Sequence, residues 1–379
     1  MAPSRQIVTK LLNQAGITVN GSREHDMQIH DEKCFDMILN SWSLGLGESY
    51  MQGMWTSKKL DTFISKLFSS SIDHKFFTKL KPTLVAHSLK YKFLNLQNIR
   101  RAFEVGQKHY DLGNNFFENM LDPYMQYSCG YWEKANNLKD AQINKLDMVC
   151  QKLKLKPGDH VLEIGCGWGG FAKYAIKKYK INYTGISISE EQILYAKKHL
   201  KNLKANFILS DYRSIQGVFD KVVSIGMFEH VGQKNYRDYF EVAFRSLKKD
   251  GLFLLHTIGS SQTKMVTDPW IHKYIFPNGY IPSYNQIASA AEGFFHLEDW
   301  HNFGKDYDLT LQAWYQNFKK NWKKNENNYP NTFYKMWEYY LLSCAGYFRS
   351  KRGQLWQIVF SRINSQQKYV SYRPKCVSK

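Results

Sequence analysis

No stretch of the chain reaches the roughly 18 consecutive apolar residues that a membrane span needs. The opening segment MAPSRQIVTKLLNQAG also lacks the continuous apolar core of a signal peptide. A soluble or peripheral cytoplasmic protein is therefore expected. Cys34, Cys129, Cys150, Cys166, Cys344 and Cys376 are scattered with no C-x-x-C pair. That spacing speaks against structural zinc and against a disulfide framework, and it suits a reducing compartment. No internal repeat is visible. Negative charge is in deficit, with 33 Asp and Glu against 52 Lys and Arg. At 43% hydrophobic the chain has enough apolar material for a real core, and its length of 379 residues suggests a large domain with a smaller companion.

The excess positive charge is concentrated at the ends. Residues 1–110 carry 15 Lys and Arg against 9 Asp and Glu, residues 308–379 carry 13 against 3, and the stretch between them 24 against 21. Such a distribution favours an anionic partner, a membrane surface or nucleic acid, although a merely lysine-rich composition gives the same totals. The segment 84–110 mixes apolar residues with Lys90, Lys92, Arg100, Arg101 and Lys108. It reads either as a helix lying on a membrane with its basic side chains at the headgroups or as a linker helix packed on its own protein.

Residues 5–16 place Ile7, Val8, Leu11, Leu12 and Ala15 on one helical face. An extended 17–19, an Asn20-Gly21 turn and helical patterns at 34–54 and 60–70 complete a small α-rich domain, 1–82. A basic linker at 83–110 leads to a catalytic domain at 111–379. Strands are predicted at 160–165, 181–187, 205–210, 219–226 and 251–259, with intervening helices, one of them from Ser189 with Gln192 at its third position and another at 234–248. Repeated β-α units of this size mean a mostly parallel sheet with helices on both faces. Residues 294–300 and 355–363 add edge strands, with helices near 308–324 and 331–350, and the tail after Ser365 is expected to fray.

The turn EIGCGWGG (163–170) lies where the first of these strands meets its helix. Glycines there let the backbone approach a ligand, and the helix N-terminus adds partial positive charge. A dinucleotide site wants G-x-G-x-x-G and an acid about 20 residues on. Here the spacing is G-x-G-x-G-G, and the second strand ends in Gly185-Ile186-Ser187 with no acid. The same turn preceded by Glu163 resembles the S-adenosylmethionine pocket of Rossmann-like methyltransferases. That resemblance implies a cofactor set of Glu163, Gly165, Gly167, Trp168, Gly169, Asp211 and Tyr212, with Asp211 facing the adenine. Ser187 and Gln192 then offer neutral hydrogen bonds where the class commonly uses an acid. A turn-forming Asp211 remains the alternative.

More specific matches run along most of the chain: HYDLGNNFFENMLDPYMQYSCGYW (109–132), VLEIGCGWGGFAKY (161–174), SIGMFEHVGQKNYRDYF (224–240), LLHTIGS (254–260), DPWIHKYIFPNGYIPS (268–283), EDWHNFGKDYDLTLQAWY (298–315) and QLWQIVFSR (354–362). In these segments the chain resembles the bacterial cyclopropane-fatty-acyl-phospholipid synthases. The resemblance implies a class I methyltransferase fold with a seven-stranded sheet and an enzyme that adds a methylene to the cis double bond of phospholipid acyl chains. It also implies S-adenosylmethionine as cofactor, bicarbonate as base and a homodimer at the inner face of the membrane.

On the same basis the bicarbonate pocket maps onto Cys129, Glu229, His256, Ile258 and Tyr307, while Tyr127 and Ser128 close over the methionine end of the cofactor. Glu229 and an oxyanion repel unless they share a proton, so a coupled titration is expected. Cys344 matches a cysteine proposed as catalytic in the family, but its neighbours in sequence lack a base or a cation, which favours a buried structural thiol. Tyr124, Tyr131, Trp132, Tyr280 and Trp300 are aromatics able to stabilise a cation through their ring faces or simply to pack. By spacing alone, Cys129 reads equally as a small buried hydrophobe, Glu229 as a helix start and His256 as a satisfied strand-end residue. Plain methyl or methoxy transfer would resolve the same cation differently; the Cys/Glu/His/Tyr set favours ring closure. A nucleic-acid methyltransferase is the competing class, but no N/D-P-P-Y/F type motif and no RNA-binding aromatic signature are present, so no nucleic-acid partner is expected.

Overall fold

The computed structural model describes residues 3–70, 112–264, 267–324 and 326–374. The basic segment 84–110, the expected division at 82 and the whole expected linker 83–110 therefore lie outside the described residues. The chain groups into two compact units that are not linear in sequence. The described residues of 1–94, 264–277 and 307–353 form one, and those of 95–263, 278–306 and 354–379 the other.

The first unit is helical. It contains α1 (Pro3–Gln14), α2 (Lys33–Ser41), α3 (Ser43–Met51) and α4 (Leu60–Ser69), with β1 (Gln28–Ile29) and β2 (Trp55–Thr56) paired antiparallel. The helical pattern read over 34–54 is broken at Trp42, whose φ of 50° and ψ of −119° lie outside helical space. Most of a later helix (Lys305–Asn321) and a second one (Phe333–Arg349) belong here too. The Trp55 ring packs between Tyr50 (5.1 Å) and Phe63 (5.0 Å), and the buried Tyr50 hydroxyl donates to Glu338 Oε2 at 2.6 Å.

The second unit is built on a sheet of seven strands: β3 (His160–Ile164), β4 (Asn182–Ser187), β5 (Ala205–Leu209), β6 (Phe219–Ile225), β7 (Leu247–Gly259), β8 (Phe295–Asn302) and β9 (Gln354–Arg362). Their order is β5-β4-β3-β6-β7-β9-β8, parallel as far as β7 and antiparallel across the last two pairings. The expected mostly parallel seven-stranded sheet is present. Residues 355–363, however, do not make an edge strand. β9 lies between β7 and β8 and is buried along seven of its nine residues, which accounts for its near-continuous apolar run.

Side-chain alternation divides the core. Leu162, Val222, Phe253 and Ile358 pack on one face with Tyr239, Phe240 and Ile287. Val161, Val223, Leu254 and Val359 pack on the other with Leu146, Phe171 and Ile193. The helices supplying those layers are α6 (Leu138–Lys152), α7 (Gly170–Tyr179), α8 (Glu190–His199) and α9 (Tyr236–Arg245), followed later by a helix at Tyr284–Ala291; α5 (Asn114–Met120) contributes to neither. The expected Ser189 cap of α8 is made, its side chain accepting from Gln192 N.

The tail does not fray where described. Arg373 donates to both carboxylate oxygens of buried Asp299 at 2.5 Å, and Lys152 Nζ lies 3.5 Å from the same group. Burial opposes ionisation of Asp299, but Arg373 and Lys152 together hold its carboxyl below the ordinary value. Arg373→Ala is expected to cost about 1–2 kcal/mol in urea unfolding, less than the ~3–5 of breaking a fully buried pair, because Lys152 remains. The contribution is present at neutral pH and is lost as pH falls through the lowered pKa of Asp299.

Candidate active site

The chain winds outward from β3 in both directions, to β4 and β5 on one side and to β6 and β7 on the other. At such a switch point the carboxyl ends of the parallel strands open a crevice. Each candidate residue of the second unit lies at or just beyond one of those ends, apart from Tyr127, Ser128 and Cys129 on the preceding segment, and Gln192 in α8.

Gly165, Gly167 and Gly169 all have positive φ, at 86°, 51° and 81°. A Cβ on Gly165 would fall 2.6 Å from Met227 Cβ, and one on Gly170 only 1.9 Å from the carbonyl oxygen of Tyr124. At Gly167 a Cβ would meet nothing within 4 Å. The turn is thus packed hard on its protein side and open at its middle, the shape of a cradle for a ligand. Trp168 donates through Nε1 to Asn114 Oδ1 at 2.7 Å and packs, tilted by 47°, at 4.9 Å from Phe117, which also meets Tyr127 at 5.4 Å. Asn114 and Phe117 were not among the expected site residues, although both fall in the 109–132 match.

Ser187 and Gln192 lie together: Ser187 Oγ donates to Gln192 Oε1 at 3.0 Å, and both are buried. Glu163 is buried and accepts from the Tyr183 hydroxyl; burial pushes its carboxyl up to about 8. Asp211 is held by Arg213, with Nε to Oδ1 at 2.7 Å and Nη2 to Oδ2 at 2.8 Å, and it caps the 212–214 turn through the Arg213 N–H. Its carboxylate therefore carries the turn-forming role, and the buried Tyr212 ring packs on Tyr239 at 5.2 Å.

Glu229 follows β6 in a short 3₁₀ turn, 228–230. Its Oε1 accepts the Ile258 N–H at 2.7 Å, while Oε2 is buried with no hydrogen-bond partner among the described residues. Burial raises this carboxyl to about 7. His256 sits on β7 two residues before Ile258, hence on the same face. Gln357 Nε2 lies 3.3 Å from His256 Nδ1. With the amide in this orientation Nδ1 accepts, which assigns the ring proton to Nε2. That N–H is also buried and unpartnered among the described residues. Burial, then Lys145 and Lys152, hold the imidazole well below its usual pKa, so it is neutral. One buried neutral donor and one carboxyl oxygen, both unsatisfied, fit a small oxyanion.

Cys129 is fully buried, and its thiol donates to the Gly130 carbonyl at 3.1 Å. The preceding residue, Ser128, accepts from Lys145 Nζ at 2.8 Å, and its carbonyl accepts from Gln142 Nε2 at 2.8 Å. Phe303 lies 5.8 Å from the His256 ring and 5.4 Å from Tyr131. Tyr280 N donates to the Glu229 carbonyl at 2.8 Å. Tyr124 and Trp300 instead pack elsewhere, on Tyr174 (5.8 Å) and Trp356 (5.0 Å). Trp132 N donates to Asp306 Oδ2 at 2.7 Å; Asp306, pushed up to about 6 by burial, precedes Tyr307 in the chain.

Tyr307 and Cys344 belong to the first unit. The Tyr307 ring stacks on Phe348 at 4.4 Å. Cys344 lies in the helix Phe333–Arg349, and desolvation raises its thiol to about 12. At that value no thiolate forms at neutral pH, in keeping with a structural thiol. Among the described residues no cluster of His, Cys, Asp or Glu is arranged to hold a metal ion.

The strand order and the open glycine cradle define a class I S-adenosylmethionine-dependent methyltransferase. Residues 97–358 match the family model of mycolic acid cyclopropane synthetase, and the chain belongs to that family. It is 50% identical over 357 residues to the cyclopropane-fatty-acyl-phospholipid synthase of Escherichia coli (strain K12), covering 94% of this chain and 93% of that one. The solved cyclopropane synthase MmaA2 from Mycobacterium tuberculosis superimposes with a TM-score of 0.65 at 31% identity, over 68% of this chain and 97% of its own. Mycolic acid cyclopropane synthase CmaA1, complexed with SAH and CTAB, does so with a TM-score of 0.64 at 31% identity and the same coverage.

Proposed function

We propose that the protein transfers a methylene group from S-adenosylmethionine to the cis double bond of unsaturated phospholipid acyl chains, with bound bicarbonate as the base. The observation that carries this reading is the pair of unsatisfied buried atoms, Glu229 Oε2 just beyond β6 and His256 Nε2 near the carboxyl end of β7. A plain methyltransferase has no need of an oxyanion cage, whereas closing a ring requires a base for a proton of the transferred methyl. When bound, the cofactor supplies an electrophilic methyl carbon whose bond to sulfur breaks as the alkene π pair attacks, and bicarbonate takes the proton whose C–H pair closes the ring.

The residues of the chain position and shield these groups. The 165–169 backbone, Trp168 and the Ser187–Gln192 pair receive the cofactor, with Tyr127 and Ser128 at its methionine end. Glu229, His256 and the Cys129 and Ile258 segments frame the oxyanion. Phe303 lies beside His256 and Tyr131 beside Phe303, two aromatic rings able to stabilise a cation on the acyl chain.

The basic ends support action at an anionic bilayer as a peripheral protein on the cytoplasmic face, and the family resemblance supports a homodimer. No helix among the described residues is long and apolar enough to cross a membrane. The test is incubation with methyl-labelled S-adenosylmethionine and vesicles of cis-unsaturated phospholipid, followed by mass spectrometry of the acyl chains. A gain of one CH2 with loss of the double bond is expected. A methyl branch, a methoxy group or no acyl product would overturn the reading, and labelled RNA would place the enzyme with nucleic-acid methyltransferases. Rates should require anionic lipid and fall as salt screens the basic ends.

A further inference from the structure

The residues framing the oxyanion contain no cation. Glu229 is an acid or a carboxylate, and His256 is neutral. An anion moved from water into such a site loses hydration and needs a compensating positive charge. Two lysines of α6, Lys145 and Lys152, are fully buried in the second unit. Lys152 is already compensated by Asp299 at 3.5 Å and bonded to His301 Nδ1 at 3.1 Å. Lys145 has no carboxylate within ion-pair distance among the described residues. Its Nζ donates only to neutral oxygens, Gln126 Oε1 at 2.6 Å and Ser128 Oγ at 2.8 Å. An ammonium has three protons to donate, so its capacity is not exhausted.

Contacts lead from this ammonium to the cage. Ser128 immediately precedes Cys129, and a Cβ on Gly226 would sit 3.6 Å from Ser128 Cβ. Gly226 N in turn donates to the His256 carbonyl at 2.9 Å. Gln142, one turn before Lys145 on the same face of α6, grips the Ser128 carbonyl as well. We propose that Lys145 is a positioning residue for the oxyanion, its ammonium supplying the positive charge that bicarbonate needs while fixing the Ser128–Cys129 segment beside Glu229 and His256. The proposal rests on the reading of that cage as the bicarbonate site. Burial lowers Lys145 to about 8, with Asp122, Cys129 and Glu163 favouring its charged form, so it keeps its proton at neutral pH.

The test compares wild type with Lys145→Met, Lys145→Gln and Lys145→Arg. Binding of ¹³C-bicarbonate is followed by NMR, and binding of S-adenosylhomocysteine by calorimetry, in CO2-depleted buffer. Lys145→Met is expected to weaken bicarbonate binding at least tenfold, about 1.4 kcal/mol, with S-adenosylhomocysteine affinity within threefold of wild type, and Lys145→Arg should restore most of the loss. Lys145→Gln, which still donates to Ser128 or Gln126, should behave like the Met variant and serves where that variant does not fold. Unchanged bicarbonate affinity in either neutral variant would overturn the proposal and leave Lys145 as a structural peg. Wild type that binds no bicarbonate would instead remove the bicarbonate reading, and this proposal with it.

Discussion

Glu229→Gln should lower the single-turnover rate on unsaturated vesicles by about 10²–10³-fold, with cofactor affinity within a few-fold of wild type. The side-chain shape is conserved, and the amide oxygen can still accept the Ile258 N–H that Oε1 now takes at 2.7 Å. What the substitution removes is a proton that can be given up. Burial holds the carboxyl near 7, so it shares a proton readily with a neighbouring oxyanion, whose charge further favours the protonated form. The pH–rate profile of wild type should therefore show a limb at or somewhat above 7 that the Gln variant lacks. Stability carries a second signature. A buried carboxyl whose pKa is raised from 4.5 to about 7 holds more protons folded than unfolded, so its contribution falls as pH rises through that window. Glu229→Gln should flatten that part of the stability curve. Equal loss of cofactor binding and turnover, or an unaltered profile, would contradict the role.

Gly167→Ala and Gly170→Ala should fail in opposite ways. At Gly167 the φ of 51° lies in the left-handed region, where alanine costs roughly 1–2 kcal/mol, and a Cβ meets no protein atom within 4 Å. The methyl group would instead occupy the open middle of the cradle. Cofactor affinity is expected to fall more than tenfold while the melting temperature moves by only a few degrees. At Gly170 a Cβ would stand 1.9 Å from the Tyr124 carbonyl oxygen, which is backbone and cannot rotate away. That variant should be strongly destabilised, by about 3 kcal/mol or more, and cofactor binding should fail through loss of structure. Calorimetric titration with S-adenosylhomocysteine beside thermal melts separates the two. If Gly167→Ala binds normally, the cradle is not where the cofactor lies.

Much of this was readable before any coordinates. The strand–turn–helix at 160–179 is legible because alternating apolar residues, a glycine cluster and a helical apolar stripe are local signals, and the parallel sheet follows from their repetition. The G-x-G-x-G-G spacing, together with the missing acid after the second strand, speaks against a dinucleotide site. The Ser189 cap and the 333–349 helix were visible for the same reason. Glu229, His256 and Ile258 were nameable only through resemblance, since each has an ordinary packing role at its own position.

Other features depend on residues far apart in the chain. β9 read as an edge strand because its apolar run does not say which neighbours it pairs with, yet it lies between β7 and β8. The His256 tautomer is set by Gln357, 101 positions away. Nothing in the residues around Lys145 and Lys152 marks them as buried, yet both are fully so. By itself, then, the sequence determined the cofactor turn, the β-α alternation and the absence of a ribose acid, all of which rest on relations between residues a few positions apart. Only the tertiary structure decided which polar atoms are buried and left unsatisfied. Burial and hydrogen-bond partners are properties of the packed sheet and its helices, and so are the charges that a bound oxyanion would feel.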